Sequence, residues 1–163
     1  MRKYENGKGM HKCKEFQPKG FTNLAQNIFM FTNEIKIRTR YAEIDRMGFV
    51  YYGNYAQYYE VARVEAMRNL GFNYKDFEDN GLIMPVLDFS VKYLKAALYD
   101  EELTVKLFIK ELPTLRIHFD YETYNGKGEL LNTARTTLVF TDKKTLKPLR
   151  PPVGFTNALG KFF

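Results

Sequence analysis

The stretch RYAEIDRMGFVYYGNYAQYYEVARVEAMRNLG, Arg40 to Gly71, joins a loop carrying Gly48 and Gly53 to a long amphipathic helical pattern. Tyr55, Tyr58, Tyr59, Ala62, Ala66 and Leu70 recur at three- or four-residue spacing, which leaves Glu60, Arg63 and Arg68 largely to other faces. Asn54 is placed to cap the helix start with its side-chain oxygen while Gln57, three residues on, returns the bond, and Gly71 is a natural stop. At 1.5 Å per residue such a helix is roughly 25 Å long, enough to cross one face of a whole sheet.

Upstream, Ile35, Ile37 and Tyr41 fall at even spacing and predict a half-buried strand over Glu34 to Tyr41. Downstream, an irregular or one-turn helical segment around Tyr74 to Asn80 gives way to period-two patterning. It predicts strands over Met84 to Leu94, Glu102 to Glu111, Arg116 to Tyr124 and Leu130 to Thr141, with turns at Asp100, Pro113 and the run Asn125, Gly126, Lys127, Gly128. Such short connections suit antiparallel neighbours. The expected architecture is therefore α+β, an antiparallel sheet of about five strands wrapped around one long central helix.

The chain has 163 residues, a size that suits one domain, and no apolar run long enough to span a bilayer. The expected divisions are a basic extension over residues 1–29, a domain over 30–152 and a C-terminal tail over 153–163. The extension reads as a disordered arm, with Met30 an alternative start. Of the net charge of +6, residues 1–29 carry +4, from six basic side chains against two acidic ones. The remaining +2 is too little to predict a phosphate-tracking surface, so no nucleic-acid partner and no membrane insertion are expected. Cys13, the sole cysteine, lies in that extension, which excludes an internal disulfide and fits a cytoplasmic setting.

Counting excludes most catalytic kits. The only histidines are His11 in the extension and His118 within a predicted strand, so neither a Ser-His-Asp set nor a zinc cluster is expected, and no glycine-rich phosphate loop occurs. Chemistry must then come from carboxylates, backbone amides and water. Asp45 precedes a helix start, where unpaired N–H groups and the helix dipole would stabilise a developing oxyanion. A carboxylate there can deprotonate water or attack a carbonyl itself; equally, a loop aspartate can do no more than cap a turn.

These residues resemble the signature of the 4-hydroxybenzoyl-CoA thioesterase family of hotdog-fold enzymes. The family pattern is a D-x-D-x-x-G loop, an aromatic run, Asn-Tyr, a helix bearing Tyr-x-Glu-x-Ala-Arg, and Leu-Gly. Its elements here are Glu43 to Gly48, Asn54 and Tyr55, Tyr58 to Arg63, and Leu70 with Gly71. Glu43 stands in place of the first aspartate, and Tyr52 in place of a histidine that one acyl-CoA branch carries, whereas the aryl-CoA branch has tyrosine there.

The resemblance implies a hotdog fold and the hydrolysis of acyl-CoA or acyl-carrier-protein thioesters. Asp45 would be base or nucleophile, and the backbone N–H of Tyr52, or of a neighbour at the helix start, would polarise the carbonyl. It also implies a homodimer or homotetramer, with sheets joined edge to edge and each site built from both chains. Tyr55 would serve packing and Glu60 would pair with a nearby arginine. Phe49, Tyr51, Tyr52 and Tyr55 are candidate walls for the acyl group, although such rings more often form core. Lys143, Lys144, Lys147 and Arg150 are candidate contacts to the phosphates of coenzyme A or to an acidic carrier protein, or else a solvated end. Coenzyme A enters as part of the substrate, and no resident cofactor or metal is expected. The alternative is a non-catalytic acyl-binding or scaffold protein of the same fold.

Overall fold

The structure, a computed structural model, describes residues 29–163, so the readings made on the basic leader and on Cys13 lie outside the described residues. Strand β1, Phe31–Arg38, alternates between a helix-facing and a solvent-facing row, with Phe31, Ile35 and Ile37 inward. It begins and ends three residues before the predicted strand. Phe31 is buried and anchors the start, whereas Tyr41 falls in a one-turn 3-10 helix, Tyr41–Glu43, and rests exposed against Tyr99.

Helix α1, Asn54–Asn69, follows, then a short α2, Tyr74–Asp79, which Asn73 caps by accepting the Asp76 N–H at 2.8 Å. The remaining strands are β2, Leu82–Ile83; β3, Val86–Tyr93; β4, Glu102–Ile109; β5, Arg116–Tyr124; β6, Leu130–Val139; and β7, Thr141–Asp142. Five form one antiparallel sheet in the order β1-β4-β5-β6-β3, and β2 pairs with β7 separately. The main sheet wraps α1, and the architecture is α+β with the hotdog arrangement.

The core is the seam between α1 and the inner face of this sheet. Leu103, Val105, Leu107 and Ile109 of β4 and Ile117, Phe119 and Tyr121 of β5 are buried against a helix face built from Tyr55, Tyr58, Tyr59, Ala62, Ala66 and Met67. Tyr59 stacks on Tyr121 at 4.4 Å between ring centroids. Gly71, at φ +85°, stops the helix: its N–H bonds the Arg68 carbonyl and that of Phe72 bonds Met67, the left-handed turn a glycine makes without strain.

Four expectations need correction. Asn54 does not cap α1; the cap position is Gly53, and Asn54 spends its amide on the Glu43 carbonyl at 2.8 Å. Arg63 does not stand apart from the buried face; it is buried and donates to the Tyr121 hydroxyl at 3.3 Å. Glu60 is exposed and forms no ion pair among the described residues. The segment read as a tail contains helix α3, Val153–Gly160, which buries Phe155 and Leu159 in the core.

Candidate active site

The loop between β1 and α1 is knitted together by Glu43. Its carboxylate accepts the Arg40 N–H and Nε at 2.8 Å each and the Tyr58 hydroxyl at 2.7 Å. Its carbonyl accepts the Tyr51 N–H and the Asn54 amide, both at 2.8 Å. Burial opposes ionisation of Glu43, but the Arg40 N–H, the Tyr58 hydroxyl and the Arg40 guanidinium outweigh it and hold the carboxyl below its usual range. A carboxyl more acidic folded than unfolded adds stability above its ordinary pKa of about 4.3, and that stability is lost as pH falls through the lower folded value. Glu43→Gln should therefore flatten the fall of melting temperature below about pH 4.5. Equal acid sensitivity in both proteins would refute this role.

Within that frame Asp45 closes a tight turn. Its N–H bonds the Phe49 carbonyl at 2.8 Å, its carbonyl accepts the Gly48 N–H at 3.0 Å, and Gly48 takes φ +84°, a conformation that suits glycine. Asp45 Oδ1 accepts the N–H groups of Met47 at 2.8 Å and Phe49 at 3.3 Å. Oδ2 has no partner among the described residues. One oxygen of this carboxylate thus caps the turn, and the other is left unpartnered.

Asp45 borders a cleft of about 370 Å³. One wall is Met47, Phe49, Val50, Tyr52 and Tyr55, and the other is the end of β3 and its exit, Tyr93 to Ala96. Burial pushes the Tyr55 phenol up to about 12, so that group stays neutral. At the helix start the Asn54 N–H is taken by the Tyr51 carbonyl at 2.9 Å. The N–H groups of Tyr52 and Gly53 meet no acceptor among the described residues. The cleft therefore brings a half-free carboxylate beside Tyr52, whose N–H is unpaired at the positive end of a helix dipole, an acceptor and a donor of the kind that acyl transfer needs.

Of the predicted site residues, Asp45, Phe49, Tyr52 and Tyr55 meet at this cleft. Tyr51 instead packs on the Tyr52 ring at 4.5 Å. Lys147 and Arg150 lie outside it: the Lys147 carbonyl closes the turn after β7, and Arg150 lines a separate hollow with Pro113, Leu115 and Val153. His118 holds Thr137 Oγ1 at 3.0 Å on the outer sheet face, the polar strand contact expected of it. Sequence reasoning missed Tyr93, Leu94 and Lys95. Lys95 is paired with Glu129 at 2.5 Å, and all three adjoin α1 only through the sheet order.

Strand β3 is an edge strand and shows solvent an apolar row, Val86, Leu87, Phe89 and Tyr93, each 40% exposed or more. Its free side pairs with no strand among the described residues.

Residues 39–159 match the thioesterase-like superfamily. A Bacillus subtilis protein provisionally named an acyl-CoA thioesterase is 36% identical over 121 residues, 74% of this chain and 88% of its own. An acyl-acyl carrier protein thioesterase of Arabidopsis thaliana chloroplasts is 26% identical, covering 88% of this chain and 76% of its own. The crystal structure of a DHNA-CoA thioesterase from Staphylococcus aureus superposes with a TM-score of 0.77 at 40% identity, covering 80% of this chain and 89% of the other.

Proposed function

Because the chain belongs to the thioesterase-like superfamily and is a thioester hydrolase, we propose that it cleaves acyl-CoA or acyl-carrier-protein thioesters through Asp45 and the start of α1. The observation that carries this reading is the divided carboxylate of Asp45, one oxygen tied to the turn and the other unpartnered beside the cleft.

In the base form of the reaction, Asp45 Oδ2 takes a proton from water as the hydroxide adds to the thioester carbon. The carbonyl oxygen becomes an oxyanion held by the N–H of Tyr52 or Gly53. Collapse breaks the carbon–sulfur bond, and the thiolate leaves and takes the proton back from Asp45, giving acid and thiol. A thiol with a pKa of about 8.5 leaves without strong acid assistance, which is why so sparse a site suffices. In the nucleophile form Asp45 adds to the thioester carbon and the carbon–sulfur bond breaks to release the thiolate; water then hydrolyses the mixed anhydride, returning the Asp45 carboxylate and giving the acid, with one water proton passing to the thiolate. Chemical trapping separates the two, since hydroxylamine added during turnover converts Asp45 to its hydroxamate only on the anhydride route, and ¹⁸O from water found in Asp45 after a single turnover also shows the anhydride. No resident cofactor or metal enters either route; coenzyme A arrives with the substrate.

Phe49 and Tyr55 supply apolar wall to the acyl group, and Tyr51 backs Tyr52. Lys147 and Arg150 meet the phosphates or acidic surface of the carrier from a neighbouring subunit. The supporting feature is the apolar free edge of β3 beside the cleft, which suits pairing with a second copy in a homodimer or homotetramer. The proposed setting is the cytoplasm, without nucleic acid as partner. No helix among the described residues is long and apolar enough to cross a membrane.

The test is a panel of aliphatic and aromatic acyl-CoA and acyl-carrier substrates, with thiol release measured colorimetrically and assembly by sedimentation. Turnover of at least one class by a dimer or larger species is expected. A protein that binds these thioesters without releasing thiol, or that turns over as a monomer, would remove the corresponding part of the reading.

A further inference from the structure

The Tyr93 hydroxyl donates to the carbonyl oxygen of Tyr52 at 3.1 Å, a bond that ties the end of β3 to the loop entering α1 across 41 residues of chain. In a trans peptide the C=O and the N–H point in opposite directions, so whatever holds the Tyr52 carbonyl also aims the N–H of Gly53. Resting on the hydrolytic reading above, we propose that Tyr93 is a positioning residue for the oxyanion site, fixing the Tyr52–Gly53 peptide and so holding Tyr52, which lines the cleft, with its own N–H toward the developing charge.

The surroundings make this bond consequential. The preceding carbonyl, Tyr51, is held by the Asn54 N–H, but the Tyr52–Gly53 unit has no other hydrogen bond among the described residues. Glycine leaves that unit free to rotate, and little else would stop it turning. The position nonetheless has little room: a Cβ on Gly53 would stand 2.7 Å from the Tyr51 ring. Tyr93 is itself held, by pairing across the sheet with Asn132 and by edge contact with the Tyr55 ring at 5.4 Å. Burial and the neighbouring Tyr52 push its phenol up, so it stays protonated and a donor at neutral pH. An oxyanion hole works when its dipoles are aimed before the charge develops, and a Tyr52 held at its carbonyl presents its own N–H in one direction; the Gly53 amide on the same peptide reports whether the bond is made.

The experiment compares Tyr93→Phe with Tyr93→Leu in the full-length enzyme, on whichever thioester the wild type turns over fastest. Tyr93→Phe should lower kcat about tenfold with KM unchanged, since a bond felt mainly in the transition state is lost. Its melting temperature and oligomeric state should match the wild type, and the amide resonance of Gly53 should shift upfield. Tyr93→Leu should lose no less in kcat, because the hydroxyl rather than the ring is what matters. Wild-type kcat in Tyr93→Phe, or an unmoved Gly53 resonance, overturns the proposal, as does a loss confined to Tyr93→Leu. A wild type inactive on every thioester would instead defeat the underlying assignment, so the two failures are distinguishable.

Discussion

Asp45→Asn should lower kcat by about 10³-fold or more while the protein melts within a few degrees of the wild type, the loss expected when a general base or nucleophile becomes neutral. The asparagine oxygen still accepts the Met47 and Phe49 N–H groups, so the turn survives and only the charge at the unpartnered position disappears. Asp45→Ala removes both functions. It should be at least as inactive and also less stable by about 1–2 kcal/mol, because two turn amides lose their acceptor. Thiol release and thermal unfolding on the same preparations separate the effects. An Asp45→Asn enzyme with wild-type turnover would show that this carboxylate only holds the loop.

That division of labour also explains how far the sequence could be read. Local rules described the turn well: Asp45 three residues before Gly48 predicts a capped turn, and that turn is present. The even-spaced rows of β5 predict Arg116–Tyr124 to the residue, because that strand is paired along both edges and its two faces alternate strictly between buried and more open positions. The errors lie where a distant partner outbids a local rule. Asn54 is a good cap by type, but Glu43, eleven residues earlier, offers its amide a carbonyl. Arg63 is a solvent residue by charge, yet the Tyr121 hydroxyl lies over it from β5 and the guanidinium is buried.

The cleft itself is the least local feature. Its first wall comes from one short stretch of sequence and holds the predicted residues Asp45, Phe49, Tyr52 and Tyr55. The second wall, Tyr93 to Ala96, reaches the helix start because β3 docks at the far edge of the sheet, beside β6. Nothing in the spacing of Tyr93 announces the Tyr52 carbonyl. The signature residues locate one wall of the cleft, and the sheet order supplies the other.

Phe155→Ala should cost about 3–5 kcal/mol, the range for truncating a fully buried phenylalanine, against a total of roughly 5–15 kcal/mol for a domain. Phe155 has no exposed surface and sits among Phe72, Phe77 and Phe140, with ring centroids at 5.4, 6.0 and 6.0 Å. Truncation leaves a cavity between α2, the end of β6 and α3 that these rigid rings cannot close. A fall in melting temperature on the order of 10 °C or more is expected. Val153→Ala, in the same helix but 74% exposed, should stay within about 0.5 kcal/mol. None of these residues borders the Asp45 cleft, so below its melting transition the Phe155→Ala enzyme should keep the wild-type kcat. Urea unfolding of both variants decides the matter. Equal stability would mean that residues 153–160 are a dispensable tail, whereas the expected gap makes α3 a structural part of the hydrolase fold.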